Sequence, residues 1–167
     1  MHEAFRVPIG LRLSQAARTV SRAFDEALEG AGGTLPVWLI LLNLKIRKPG
    51  NQRELAGAVG IREATLTHHL NAMAARGLVT RTRDPVNRRI QVVELTEAGE
   101  AAFLRLQRAA IDFDTRLRAG LADADLDHLG DLLGQLAANV GGTADGSTAK
   151  GGTADGGPPW ADLAESR

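Results

Sequence analysis

The chain has 167 residues, 44% hydrophobic and 24% charged, which suits one ordinary domain or two small lobes and excludes wholesale disorder. The absence of cysteine removes disulfide scaffolds, cysteine zinc sites and thiol chemistry together. No stretch approaches the roughly 20 apolar residues of a membrane span, and residues 1–10 lack the apolar core of a secretory signal, so a cytoplasmic protein of bacterial type is expected. The net charge of zero hides an asymmetry. Residues 45–94 hold ten Lys or Arg against four Asp or Glu, a net of +6, and the remainder carries −6. A basic middle between acidic flanks points to an anion-binding surface.

Gly10 to Glu29 reads as a helix, with Leu13, Ala16, Ala17, Val20, Ala23, Phe24, Ala27 and Leu28 at three-and-four spacing and Gly30, Gly32 and Gly33 as its stop. Leu35 to Ile46 is apolar nearly all round, the pattern of a centrally buried helix, and Lys48-Pro49-Gly50 ends it. Two short helices follow. Asn51 caps the first, with Glu54 reaching back, and Leu55, Ala56 and Val59 face inward. After a turn at Gly60, the second runs from about Arg62 to Arg76, with Leu66, Leu70 and Met73 as its buried stripe and Gly77 as its stop. Two short helices around a tight glycine turn are the signature of a helix-turn-helix.

Leu78 to Arg83 and Ile90 to Leu95 are rich in Val, Thr and Ile and read as a strand pair. Their link, residues 84–89, has Asp-Pro turn chemistry and ends in two arginines. Thr96 caps a long helix to about Arg118, whose apolar positions include Ala102, Leu106, Ala109, Ala110, Phe113 and Leu117. Asp123 caps a last helix with Leu126, Leu129, Leu133, Leu136 and Val140 at heptad spacing, which suits packing inside the chain or a dimer seam equally. From Gly141 a Gly-Gly-Thr-Ala-Asp-Gly motif recurs ten residues apart, and residues 141–167 read as a flexible Gly/Thr/Asp-rich tail.

The predicted class is therefore mainly α, with a winged helix-turn-helix whose wing is a two-stranded β hairpin. The chemistry fits DNA. The major groove, about 12 Å wide, admits one helix. Opposite the buried stripe of the second short helix stand Thr65, Thr67, His68 and Asn71, short polar side chains that reach base edges and phosphates. Arg88 and Arg89 at the wing tip suit a narrow minor groove, and Arg53, Arg62, Arg81 and Arg83 suit phosphates.

The segments NQRELAGAVGI, ATLTHHLNAMAARGLVTR and DPVNRRIQVVELTEAG together resemble the MarR family of bacterial transcription regulators. The last carries the wing signature Asp-x-x-x-x-Arg, an alternating strand, then Leu-Thr-x-x-Gly. The flanking helices match in order and length, so the resemblance covers roughly residues 10–140. It implies a homodimer whose first and last helices intertwine, bound to a pseudo-palindromic operator with recognition helices about 34 Å apart. It implies repression, often of an adjacent gene, relieved by a small, frequently aromatic, anion between the dimer lobe and the DNA-binding lobe. On that reading residues 10–30 and 96–140 form a helical dimerisation lobe and residues 35–95 the DNA-binding domain. Trp38, on the very apolar second helix, is the candidate effector contact, although a lone aromatic there is more often core.

Three departures bear on the site. Arg62 stands where the family often has a Ser or Asp cap. His68 stands where many members have Arg, and neutral histidine cannot read guanine bidentately, so base preference does not carry over. Thiol-sensing members are a poor guide to a chain without cysteine.

No enzyme, metal or cofactor is expected. His68 and His69 are adjacent on a helix and point about 100° apart. Asp123, Asp125, Asp127 and Asp131 with His128 fit acids at a helix start, favourable to its dipole. The expected partners are double-stranded DNA, a second copy of the chain and a small-molecule effector, with no membrane. The competing reading is a winged-helix module that binds DNA without sequence preference, or a protein, with no effector response.

Overall fold

The structure, a computed structural model, describes residues 7–47, 51–83 and 91–141. Its elements are α1 (Ile9–Gly30), α2 (Leu35–Arg47), α3 (Gln52–Val59), α4 (Glu63–Ala75), β1 (Val79–Arg83), β2 (Gln91–Leu95), α5 (Glu97–Leu117) and α6 (Asp123–Val140). The expected mainly α winged helix-turn-helix is what forms. Among the described residues no single helix is long and apolar enough to cross a membrane. Two compact units divide the chain, Met1–Ala110 and Ile111–Arg167.

In the first unit α1 ends in a glycine turn. Gly32 takes φ +82°, which favours a residue without Cβ, and the Gly33 N–H donates to the Leu28 carbonyl at 3.0 Å. The apolar run of α2 then enters the core. Val37, Trp38, Ile40, Leu41 and Leu44 are buried, Leu39 and Leu42 half-buried, and Ile46 exposed. Trp38 stacks on Phe103 of α5, ring centroids 5.7 Å apart and planes 15° from parallel, a contact worth about 0.5–1.5 kcal/mol beyond its buried area. Phe103, completely buried, belongs to a stripe with Leu106 and Ala110 at intervals of three and four.

The helix-turn-helix is built by caps. Asn51 Oδ1 accepts the Glu54 N–H at 2.9 Å, and its Nδ2 donates to Glu54 Oε1 at 2.8 Å, so α3 starts where expected. Gly60 closes α3 at φ +77°. Leu66, Leu70 and Met73 of α4 are buried, together with Leu55 and Ala56 of α3, while Val59 is half-buried. Helix α4 stops in a Schellman turn, in which the Leu78 N–H donates to the Met73 carbonyl and the Gly77 N–H to Ala74, both at 2.9 Å.

The hairpin is antiparallel, with Val79 opposite Leu95, Arg81 opposite Val93 and Arg83 opposite Gln91. Alternation puts all six on one face, the face whose Val79 and Val93 are buried. Thr96 then ties the hairpin to the end of α4. Its hydroxyl donates to the Gly77 carbonyl and accepts the Gly99 N–H at 3.0 Å, and its own N–H donates to the Leu78 carbonyl at 3.1 Å. This is the physical content of the Leu-Thr-x-x-Gly signature. One segment ends β2, caps α5 and fastens both to the recognition helix.

In the second unit Arg118 reaches Asp114 Oδ2 at 3.4 Å and Asp123 Oδ1 at 3.5 Å, and the Arg116 guanidinium lies 5.9 Å from the Phe113 ring centre. The N-cap of α6 is Ala122, not Asp123. The expected cap is corrected: Asp123 is the first helical residue, where its carboxylate still favours the dipole while pairing with Arg118. No described residue of α6 is buried. Leu129 and Leu133 of the heptad face are exposed, as are Leu132 beside it and Leu13 and Val20 on the apolar face of α1. The wing tip 84–90, with Arg88 and Arg89, the segment 48–50 and the tail from residue 142 lie outside the described residues.

Candidate nucleic-acid interface

Burial of Leu66, Leu70 and Met73 fixes which face α4 presents outward. At 100° per residue the opposite side carries Ala64, Thr65, His68, Asn71 and Ala72, all exposed. Thr65, His68 and Asn71 thus share one outward face. Thr67 is half-buried and stands at its edge, on the Asn71 side. The alanines between the polar groups leave the backbone of that face free to approach a surface closely. His68 and His69 rings lie edge to face at 5.9 Å, with His69 half-buried on the flank.

The arginines differ among themselves. Arg53 of α3 is exposed and 4.0 Å from Glu63 of α4, a surface pair too weak to hold it from another partner. Arg62 is the N-cap of α4, exposed and without a side-chain cap hydrogen bond. The backbone there is already extended, at φ −70° and ψ 147°. Arg62→Ser is therefore expected to stabilise the fold by about 1 kcal/mol. If Arg62 grips a phosphate, the same change flattens the slope of log affinity against log salt by about 0.9. Urea unfolding and salt titration read the two effects separately.

Arg83 is exposed near the end of β1. Arg81 is not. It lies on the inward face of the hairpin, half-buried, with Nη1 donating to Asn71 Oδ1 and Nη2 to Gln91 Oε1, each at 2.5 Å. Gln91 Oε1 also accepts from Gln52 Nε2 of α3 at 2.8 Å. The Nε of Arg81 is buried and has no partner among the described residues. Gln52 and Gln91 are members of this site that residue-type reasoning passes over, because neutral amides give no charge signal. For Arg81 a signal existed: with Val79 inward, period two turns Arg81 inward as well.

Trp38 lies apart from this surface. It is 2% exposed, with its ring stacked on Phe103. Arg88 and Arg89 lie outside the described residues.

The MarR family model matches residues 34–91, which span α2 to the start of β2. The transcriptional repressor CouR, in a structure bound to a 23-mer DNA duplex, is 30% identical, with a TM-score of 0.69 over 78% of this chain and 92% of that one. The chain belongs to the MarR family. A probable transcriptional regulator from Pseudomonas aeruginosa is 29% identical, with a TM-score of 0.66 over 77% of this chain and 96% of that one. CouR from Rhodococcus jostii RHA1 bound to p-coumaroyl-CoA matches at 24% identity and a TM-score of 0.66, over 86% of this chain and 99% of that one, and shows the shared fold.

Proposed function

We propose that this MarR-family chain is a sequence-specific DNA-binding transcriptional regulator, a homodimeric repressor of a pseudo-palindromic operator. One observation carries the reading. The outward face of α4, with Thr65, His68 and Asn71 over a buried Leu66-Leu70-Met73 stripe, stands beside a hairpin wing, in a chain 30% identical to a repressor bound to a duplex. In this reading α4 enters the major groove, and Thr65, Thr67, His68 and Asn71 meet bases and phosphates. Arg53, Arg62 and Arg83 meet phosphates, and Arg88 and Arg89 meet the minor groove. A chromosomal partner puts its work in the cytoplasm.

The exposed apolar side chains of α1 and, separately, those of α6 support a dimerisation lobe drawn from residues 10–30 and 96–140, because clustered exposed apolar side chains mark an interface. Residues 35–95 are the DNA-binding domain of this division, and residues 141–167 a tail outside both.

The test is selection of bound duplexes from a randomised pool. An enriched palindrome with half-sites about one turn apart is expected. Binding without a motif would make the protein a non-specific DNA binder, and no binding at low salt would remove DNA as its partner.

An effector is the second part of the proposal. CouR, a member of the same family, binds both a DNA duplex and p-coumaroyl-CoA, and we extend a response to aromatic acids or their thioesters to this chain. A ligand relieves repression only through unequal affinity for two dimer geometries. The Trp160→Phe variant leaves Trp38 as the sole tryptophan. Titrating such acids against it should change its fluorescence while operator affinity falls. Release of DNA with unchanged fluorescence would remove Trp38 from the effector site.

A further inference from the structure

Arg81 joins four elements. Its two Nη groups grip Asn71 of α4 and Gln91 of β2, and Gln91 is held in turn by Gln52 of α3. Arginine suits this task because its planar fork offers donors in fixed, divergent directions, which one ammonium cannot reproduce between two separate acceptors. The Nε edge, one of those by which a guanidinium grips a phosphate, is turned inside. The exposed Arg83, two residues on along the same face, has no such engagement among the described residues.

We infer that Arg81 is a positioning residue that clamps the recognition helix to the base of the wing and sets the angle between them, and is not a phosphate contact. The inference rests on the DNA-binding reading above. A duplex is met by two elements at once, α4 and the wing, and both grooves are engaged only if their separation is held before contact. Asn71 takes part through its carbonyl oxygen, which leaves its Nδ2 group as the end turned to a partner.

Arg81→Lys and Arg81→Met separate the alternatives. Lysine keeps the charge, so a phosphate contact survives in Arg81→Lys, while Arg81→Met flattens the salt slope by about 0.9. The clamp predicts the reverse pattern. Both variants, shown by circular dichroism to be folded at the assay temperature, should lose about tenfold or more in affinity for the selected duplex. Both should keep the wild-type salt slope, because no phosphate contact has gone. Near-wild-type affinity in Arg81→Lys, or a flattened slope in Arg81→Met, overturns the inference.

A second measurement needs no DNA. In a double-mutant cycle of Asn71→Ala and Arg81→Met on urea unfolding, the effects should fall short of additive by about five- to tenfold in the unfolding equilibrium constant. Strict additivity means that the clamp does not exist in solution. Should the wild-type protein select no duplex, the DNA reading fails while this cycle still decides the clamp.

Discussion

Replacing Leu129 and Leu133 together by Glu is expected to halve the mass in solution to that of one 17.7 kDa chain and to reduce operator affinity to the non-specific level. The two leucines lie one turn apart on α6 and are 47% and 39% exposed. A glutamate there costs the isolated chain little, because water reaches both positions. In a two-fold dimer each substitution counts twice. Four leucines are lost from the seam, at roughly 1.5–3 kcal/mol for each one fully buried, and four carboxylates would have to be desolvated without partners. That total exceeds what an interface of ordinary strength supplies. A monomer then carries one reading head for a two-headed site, and affinity should fall by about 1,000-fold or more toward non-specific binding. Sedimentation equilibrium and duplex titration check the two halves. A variant that remains dimeric and binds as before would assign the apolar face of α6 to some other use.

Gly99→Ala is expected to destabilise the fold by about 3 kcal/mol, against the sign that helix propensity alone suggests. In an exposed helix interior the change from Gly to Ala gains about 1 kcal/mol. At Gly99, however, an added Cβ would lie 2.0 Å from the Leu78 carbonyl oxygen, far inside contact distance. The obstacle is backbone, and that same carbonyl accepts the Thr96 N–H. Relief therefore requires α5 to move away from the end of α4 and to break the bonds that Thr96 makes to both. Gly57 of α3 is the control, since nothing lies within 4 Å of a Cβ built there, and Gly57→Ala should gain up to about 1 kcal/mol. Urea unfolding of the pair decides the matter. A neutral Gly99→Ala would mean that the junction of wing and recognition helix is looser than its hydrogen bonds indicate.

These predictions rest on different levels of the chain. The order of elements was legible in residues alone, because caps and stops are local chemistry. As caps and stops, Asn51, Gly60, Gly77 and Thr96 act on neighbours within a few residues, so that part of their effect needs no knowledge of the fold, whereas the bonds from Thr96 to Gly77 and Leu78 exist only once the hairpin has folded back. The buried stripe Leu66-Leu70-Met73 was legible for the same reason, since helical period converts spacing into a face. Asp123 shows the limit of that precision. An acid and an alanine compete for one cap position, and the chain settles one residue earlier, where Asp123 meets Arg118 instead.

What the sequence by itself determined is the succession of helices, the winged helix-turn-helix they spell and the basic character of its middle. Tertiary structure decided which charges are available, since strand period turns both Arg81 and Arg83 to the inward face and only Arg81 is engaged there. Arg53, Arg62, Arg81 and Arg83 are alike as residue types, yet three are exposed and the fourth bridges α4 and β2. Their difference comes from strand register and from amides that approach across the fold from Gln52 and Gln91. Trp38 likewise acquires its environment only when α5 lays Phe103 against it. Charge and hydropathy belong to a residue, whereas exposure and partnership belong to the space around it, and distant segments create that space.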